Sequence, residues 1–473
     1  MTLAEELCGF AAATTFERLP GEVARSLKLR VLDTLGICLA STAYGLGDGV
    51  ASLVECWGGK PEAAVIGGAA GQKYPAPQAA LVNGTLAHAL DFDDTHLPSV
   101  LHPSASVVPA VLATAQALGR SGAETLTALA IGEEITVRIG MAGFIEGAGN
   151  LFFERGQHAT SICGTLGSAV ACARLLGLDA VGIQDALAIA ASMGAGLLEA
   201  NRAGGTVKRL HCGWAAHAGI SAAYLARNGY TGPASVLEGR FGFYQAWLSG
   251  QFDPSPLHDG LGQRWEVPGI FFKPYPANHY THAGIDAALA IRRRLGDAWD
   301  PDAVERIELG AAASALRTIG EPRVEKIRPR SGYHAQFSGP FTVATALLGG
   351  GGLGVYLDDF TDACAQDTSR LALAARVETF VDAECERVFP HQFPAVLRVH
   401  LADGRVLEER VMHNRGGPDN PLSESELRTK FTLNAQHRLT APAAGRLAEA
   451  VLRLETLDTL DALVGLTQTG RQN

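Results

Sequence analysis

The sequence is poor in charge and has no excess of basic residues. Charged residues make up 19% of the 473 positions, and 39 Lys and Arg stand against 49 Asp and Glu, giving a formal net charge of −10. So small a charged fraction is not typical of disordered chains or coiled coils. Binding to nucleic-acid phosphates needs a basic excess, so we expect no nucleic-acid partner.

Paired cysteines, long apolar runs and a basic leader are also lacking. The eight cysteines form no C-x-x-C pair, which indicates neither a zinc knuckle nor a disulfide framework. No apolar run approaches the roughly 18 residues of a membrane span, and no basic segment precedes the modest apolar patch at the N-terminus. We expect a soluble cytoplasmic protein that has no membrane partner.

Common nucleotide-binding and hydrolase motifs are missing as well. The sequence contains no G-x-x-x-x-G-K-[ST], no H-E-x-x-H and no G-x-S-x-G, and the glycine run at 349–354 follows an apolar helical pattern rather than a strand. These absences argue against nucleotide binding and serine hydrolysis.

Helical patterns dominate the chain to about residue 250. After Pro20, an apolar residue recurs every four positions, at Val23, Leu27, Val31 and Leu35, which predicts a helix with one apolar stripe. The stretch 185–198 is small and apolar on nearly all sides. This composition suits a helix buried inside a bundle or against a partner subunit.

The pattern changes after Phe271. Residues 306–309 alternate in polarity, and residues 396–401 and 406–411 flank Asp403-Gly404, which predicts a β-hairpin. We expect helices at 281–295, 335–348, 369–381 and 422–438, the last with Ser423 and Glu426 as a capping box. The predicted fold is mainly α with a smaller α+β domain: a helical domain built from 1–270 and 418–473, and an α/β domain at 271–417.

The densest polar cluster is HALDFDDTHLPSVLHPS, residues 88–104. If its first half is helical, His88, Asp91 and Thr95 share one face, whereas prolines force a loop that returns His102 toward them. An imidazole beside a carboxylate and a hydroxyl is suited to proton transfer. The alternative is that the aspartates only cap a helix.

Three further clusters carry basic or imidazole groups. The segment 201–219, which contains Arg202, Lys208 and Arg209, is a basic patch that could hold ligand carboxylates or phosphates, or form a solvated helix face. In FFKPYPANHYTH, Lys273 lies among aromatics and prolines, and His279 with His282 is too small a set for a metal site. His158 precedes a small-residue helix whose first N–H groups could receive an anion.

These clusters resemble the MmgE/PrpD family, which includes 2-methylcitrate dehydratase, cis-aconitate decarboxylase and iminodisuccinate epimerase. The resemblance covers nearly the whole length. It rests on LPGEVARSLKLRVLDTLG, NGTLAHALDFDDTHLPSVLHPS, GTLGSA, GGTVKRLHCGWAAHAG, FKPYPANHYTHAGIDA and AQFSGPFTVATALL. It implies a helical domain with a smaller α/β lid, a homodimer, and catalysis without a metal or organic cofactor.

The family's active-site positions match Asp91, Thr95, His102, His158, Lys208 and Lys273. We assign the first four to catalysis, and the two lysines, with Arg209 and His279, to substrate binding. Two positions depart from the family patterns. Asn278 stands where the decarboxylase branch has a histidine, and DFDDTH replaces a motif closer to DYNDTW in the dehydratase of 2-methylcitrate.

The resemblance and the clusters together predict a metal-independent lyase that acts on a di- or tricarboxylate, most simply the dehydration or hydration of a citrate-like acid. Epimerisation or decarboxylation of a related carboxylate is the alternative within the family. Two hypotheses lie outside it. One is a magnesium-dependent terpene-type synthase, based on the aspartate-rich segments 91–94 and 358–362, and the other is a helical binding protein without catalysis.

Overall fold

The computed structural model describes residues 1–200 and 205–468. They form two compact units, a helical unit (Met1–Ile270 with Leu427–Asn473) and an α/β unit (Phe271–Glu426). Domain boundaries at 270/271 and 417/418 stay a prediction from the sequence. Within the α/β unit, Arg415 forms an ion pair with Glu426.

The helical unit contains a core of buried aliphatic side chains. The predicted apolar stripe of the second helix is buried, and Pro20 caps that helix. The N-terminal part has α-helices Leu3–Ala13, Gly21–Ala43, Asp48–Trp57, Ala76–His88, Ser104–Leu118, Gly122–Met141, Leu151–Glu154, Ala159–Leu175, Ala180–Ala191, Val207–Arg227, Phe243–Leu248 and Ser255–His258. The C-terminal part adds Glu424–Ala435, Ala441–Leu452 and Asp461–Gly465. Two short strands pair at Phe144–Ile145 and Gly149–Asn150.

The predicted buried helix at 185–198 is only partly correct. The helix Ala180–Ala191 ends before Met193, and Leu197 is 67% exposed. Gly196 adopts φ +146°, a conformation that favours glycine, and its carbonyl accepts a hydrogen bond from the backbone N–H of His158 at 3.0 Å. The chain is therefore no longer helical at Gly196, and the carbonyl of this residue supports the segment that carries His158.

Two long helices of the helical unit touch through glycine. Gly84 of Ala76–His88 faces Gly213 of Val207–Arg227, and a Cβ at Gly213 would lie 2.1 Å from the carbonyl oxygen of Leu81. The two backbones can approach this closely only because neither glycine has a side chain. This contact fixes the relative position of the helices that bear His88 and Lys208.

The α/β unit is built on a four-stranded sheet in the order Val377–Val381, Val304–Ala311, Ala395–Leu401, Val406–Val411. The first pair is parallel and the other two are antiparallel. The predicted hairpin is confirmed, since His400 lies opposite Val406. The α-helices of this unit are His282–Leu295, Ala313–Ile319, Arg323–Lys326, Gly332–Ala335, Gly339–Leu348, Thr368–Ala374 and Ala383–Val388.

Two of the predicted helices in this unit are wrong in extent. The prediction at 369–381 combined a short helix with the strand Val377–Val381, whose residues pair in parallel with the central strand Val304–Ala311. The prediction at 335–348 is interrupted at Ser338, whose hydroxyl accepts from the N–H of Phe341 and starts a new helix. The capping box of Ser423 and Glu426 is confirmed.

Among the described residues, no single helix has the length and apolar composition needed to cross a membrane. The helices Gly21–Ala43 and Asp48–Trp57 meet both measures only when they are taken together across a bend of 91°.

Candidate active site

The segment after His88 is a loop, so the prediction that His88, Asp91 and Thr95 share one helical face is wrong. The helix Ala76–His88 ends at His88, and Asp91 takes φ +52°, a left-handed conformation that aspartate tolerates better than most residues. His96 and Leu101 then exchange backbone hydrogen bonds of 2.8 and 3.3 Å. This reversal brings His102 back toward Thr95, as expected.

His88 and Asp93 form a buried pair at the start of this loop. Nδ1 of His88 donates to the carboxylate of Asp93 at 2.6 Å, and both side chains are almost completely buried. The same carboxylate lies 3.9 Å from Nδ1 of His102. The carboxylate beside His88 is therefore that of Asp93, which had no predicted catalytic role, and not that of Asp91.

His102 is held in one tautomer by the backbone. Its Nδ1 lies 2.5 Å from the carbonyl oxygen of Asp94 and 3.3 Å from the hydroxyl of Thr95. A carbonyl oxygen can only accept, so Nδ1 carries a proton, and Nε2 is the basic atom of the neutral ring. Its backbone N–H donates to Thr160 at 3.3 Å.

His158 lies just before the helix Ala159–Leu175 and contacts His211. The two Nδ1 atoms are 2.9 Å apart, so one of them donates to the other. Burial lowers the pKa of His158 well below its ordinary value, and the neighbouring charges of His88 and Lys208 lower it further. Burial also lowers the pKa of His211 to about 4. Both rings are therefore neutral near pH 7.

The four imidazoles form a continuous row. Ring centroids are 5.4 Å apart between His102 and His88, 5.4 Å between His88 and His158, and 4.9 Å between His158 and His211. Imidazoles placed in such a row are suited to accept and donate protons. The end of one helix supplies His88, the loop after it supplies His102, and the beginnings of two other helices supply His158 and His211.

Lys208 brings a positive charge to the same part of the helical unit. It belongs to the first turn of Val207–Arg227, and its Nζ lies 3.4 Å from Oδ1 of Asp91. Arg209 follows it and is half-buried. Arg202, from the predicted basic patch, lies outside the described residues.

A buried charge network supports the loop through Asp94. Arg30 donates to its carboxylate at 3.0 Å, and Ser104 donates to the same group and lies 2.7 Å from Glu133. Arg30 also donates to the carbonyl oxygens of Val267 and Ile270. Burial raises the pKa of Glu133 to about 8, partly offset by the charge of Arg30.

A second buried lysine reaches the loop from the C-terminal part of the chain. Lys430 donates to Asp33 and to the carbonyl oxygen of Phe92, each at 2.9 Å, and its Nζ lies 3.9 Å from the ring centroid of Phe92. The loop is thus held by cations from both ends of the chain. This anchor was not predicted, because nothing in the local pattern relates residue 430 to residue 92.

Lys273 and His279 belong to the α/β unit. Lys273 is buried, with only 1% of its surface exposed. His279 is buried between the rings of Phe271 and Phe393, with centroid distances of 5.3 and 5.5 Å. The side chain of Asn278 accepts from the N–H of Tyr280 at 3.1 Å and caps a short turn.

The aspartate-rich segments do not form a cation site of the kind that a terpene-type synthase needs. Asp91, Asp93 and Asp94 lie against Lys208, His88 and Arg30 respectively. In the second segment, Asp359 pairs with Arg370 and accepts backbone N–H groups. In residues 1–200 and 205–468, no group of three His, Cys, Asp or Glu side chains is placed to hold a metal ion.

Comparison with known families agrees with this arrangement. The MmgE/PrpD N-terminal domain matches residues 5–255, and the MmgE/PrpD C-terminal domain matches residues 275–456. The chain belongs to the MmgE/PrpD family. The family resemblance stated from the sequence is therefore confirmed.

Relatives of this MmgE/PrpD protein include two kinds of lyase. It is 31% identical to human cis-aconitate decarboxylase over 95% of this chain and 91% of the relative. It is 29% identical to the mouse cis-aconitate decarboxylase over 98% and 93%. It is 28% identical to the 2-methylcitrate dehydratase of Cupriavidus necator over 85% and 84%.

Proposed function

We propose that this protein is a lyase that acts on a citrate- or aconitate-like carboxylate, and that its reaction is dehydration or hydration by general acid–base catalysis. The observation that carries the proposal is the buried row of four imidazoles beside the Lys208–Asp91 pair. The relatives described above act on cis-aconitate and on 2-methylcitrate.

Dehydration requires three chemical functions. A base removes the proton from a carbon next to a carboxylate, an acid protonates the departing hydroxyl as water, and cations hold the carboxylates. His158, neutral because of its lowered pKa, is suited to be the base, and His102 to be the acid after it gains a proton on Nε2. Lys208 and Lys273 are the proposed carboxylate-binding cations.

Decarboxylation is the second candidate, and the names of the human and mouse relatives favour it. That reaction breaks a carbon–carbon bond, releases carbon dioxide, and requires a proton on the carbon that loses it. Asn278 argues against it, because the side chain at this position caps a turn and is not an imidazole that could deliver the proton.

NMR of the wild-type protein with cis-aconitate, citrate and 2-methylcitrate separates the candidates. We expect addition or loss of water with all carbons retained, and deuterium incorporation beside a carboxylate in D2O. A five-carbon unsaturated diacid and carbon dioxide from cis-aconitate would establish decarboxylation instead. No change in any of the three acids would overturn both candidates. Turnover should also survive an excess of chelator, whereas a magnesium-dependent synthase would lose it.

Site variants test the assigned roles. His102→Gln and His158→Gln should each lower turnover by about 10²–10⁴-fold, the usual contribution of acid–base groups, while still binding ligand. Asp91→Asn should lower turnover as well, because it removes the carboxylate that lies 3.4 Å from Nζ of Lys208. Residual activity within about threefold of wild type in all three would contradict the assignment.

A further inference from the structure

His88 lies at the centre of the imidazole row but has no role in the reaction as proposed above. Its ring centroid is 5.4 Å from that of His102 on one side and 5.4 Å from that of His158 on the other. Its Nδ1 is engaged by Asp93 at 2.6 Å. Among the residues that the structure describes, the buried Nε2 of His88 has no hydrogen-bond partner.

This arrangement determines what His88 can do. Since Asp93 holds the proton on Nδ1, the neutral ring presents a bare, basic Nε2. A proton gained on Nε2 leaves both ring nitrogens protonated, with Nδ1 still donating to the Asp93 carboxylate at 2.6 Å. The pair is therefore suited to hold one extra proton for a short time in a site that is otherwise shielded from water.

We propose that the His88–Asp93 pair is a proton relay that returns the site to its starting state after each turnover. The inference rests on the proposed dehydration. In that reaction the base ends with an extra proton, which it took from carbon, and the acid ends without the proton that it gave to the leaving hydroxyl. One proton must then move from base to acid before the next substrate reacts.

The row gives the order of a path for that proton. Because Nε2 of His88 has no hydrogen-bond partner among the described residues, the rings must approach each other from their centroid spacing of 5.4 Å before each transfer. The protonated His158 passes it to Nε2 of His88, and the His88 imidazolium, paired with Asp93, passes it to Nε2 of His102. No other reactant is needed. Throughout the transfer, the row carries one proton more than it would if every ring were neutral. The relay acts between the reacting groups and does not touch the substrate, so His88 is a positioning and relay residue.

Rapid kinetics distinguish a relay from a structural residue. In His88→Gln, the first turnover should remain near the wild-type rate, because the base and acid start in the correct states. Later turnovers should slow by about 10²-fold, the scale of a lost acid–base group. The progress curve should then show a burst of one product per site, with kcat reduced and KM little changed. Added imidazole buffer should restore part of the steady rate.

His217→Gln is the matched control. His217 lies on the helix Val207–Arg227, and its Nδ1 bonds to the carbonyl oxygen of Pro77 at 3.1 Å, so its loss should leave both phases unchanged. A His88→Gln variant whose first turnover falls as much as its kcat would show a structural role and overturn the relay. So would a variant with wild-type kcat.

A spectroscopic measurement on the free protein tests the pair apart from activity. The short bond from Nδ1 of His88 should give a far-downfield proton resonance that disappears in both His88→Gln and Asp93→Asn. If that resonance is absent from the wild type, the pair and the relay are overturned. If it is present but the wild type turns over no carboxylate, the pair stands and the proposed function fails, and the relay fails with it.

Discussion

Lys208 pairs with Asp91 and is also a proposed ligand for a substrate carboxylate. Its side chain is 12% exposed, and that of Asp91 is 6% exposed, so the pair is shielded from solvent and its charges are strongly felt. Lys208→Met keeps most of the stem and removes the charge. We expect kcat/KM to fall by the equivalent of about 1.5–3 kcal/mol, the range for a charge-assisted hydrogen bond.

The control for Lys208 is Arg227→Gln, at the far end of the same helix, where the guanidinium lies over the ring of Tyr224. Steady-state kinetics on both variants, and on Lys273→Met in the α/β unit, give the comparison. Wild-type kcat/KM in both lysine variants would mean that these cations do not bind the substrate and that the carboxylate site lies elsewhere.

His96 offers a test of pH dependence at the residue scale. Burial lowers its pKa to about 3, below the ordinary 6.5, with a further contribution from the charge of Arg30. The unfolded chain therefore binds a proton between pH 6.5 and pH 3 that the folded chain does not. The stability due to neutral His96 is complete above pH 6.5 and is lost as the pH falls, by about 1.4 kcal/mol per pH unit.

Urea unfolding followed by tryptophan fluorescence measures this loss, since Trp57, Trp214, Trp247 and Trp265 all lie in the helical unit. His96→Gln should lose less stability than wild type between pH 7.5 and pH 5.5. Parallel pH profiles for the two proteins would mean that the pKa of His96 is the same in the folded and the unfolded chain.

The contacts of the site could be predicted only in part. The motif 88–104 indicated proton transfer, and Thr95 and His102 do lie together. The acid beside an imidazole is Asp93, paired with His88, whereas Asp91 contacts Lys208. Helical spacing could not show this, because the left-handed conformation at Asp91 depends on how the loop is held by buried groups distant in sequence.

At the scale of elements, glycine packing sets how the catalytic helices meet. Gly213→Ala would place a methyl group 2.1 Å from the carbonyl oxygen of Leu81, so the helices must separate. We expect destabilisation of about 1–3 kcal/mol, the usual cost of overpacking. Because the same contact positions His88 and His211, activity should fall even where the protein remains folded.

Gly445→Ala is the matched control, because it lies within the helix Ala441–Leu452 and its Cβ would meet no atom within 4 Å. It should stabilise the protein by about 1 kcal/mol, as alanine does in an exposed helix interior. Denaturant unfolding of both variants gives the comparison. Equal effects in the two would show that helix propensity, and not the close approach, governs Gly213.

Element type was predictable where periodicity was strong, and element length was not. The stripe from Val23 to Leu35 and the hairpin around Gly404 are confirmed. The segment 369–381 was predicted as one helix, but it contains a helix and a parallel strand with only two residues between them. Residues 377–381 form a strand because they pair in parallel with Val304–Ala311. That partner lies about 70 residues earlier in the chain.

At the scale of the whole molecule, the predicted fold class is confirmed, since a mainly helical unit accompanies a smaller α/β unit. The six sequence segments behind the family resemblance were sufficient for this. They could not show that the helix Glu424–Ala435 supplies Lys430 to the loop at Phe92, because such a contact joins residues 338 positions apart. Long-range anchors of this kind need the folded structure.

A homodimer is the remaining prediction at this scale. The family resemblance implies it, and the helical unit exposes large apolar side chains, among them Phe241 at 88%, Leu197 at 67% and Tyr230 at 63%. Burying such groups against a second copy would remove apolar surface from water, and two-fold symmetry is the most common arrangement of soluble oligomers. Light scattering at micromolar concentration should give twice the chain mass of 49.6 kDa. A stable 49.6 kDa species across a dilution series would contradict the dimer and would mean that each chain contains its whole active site.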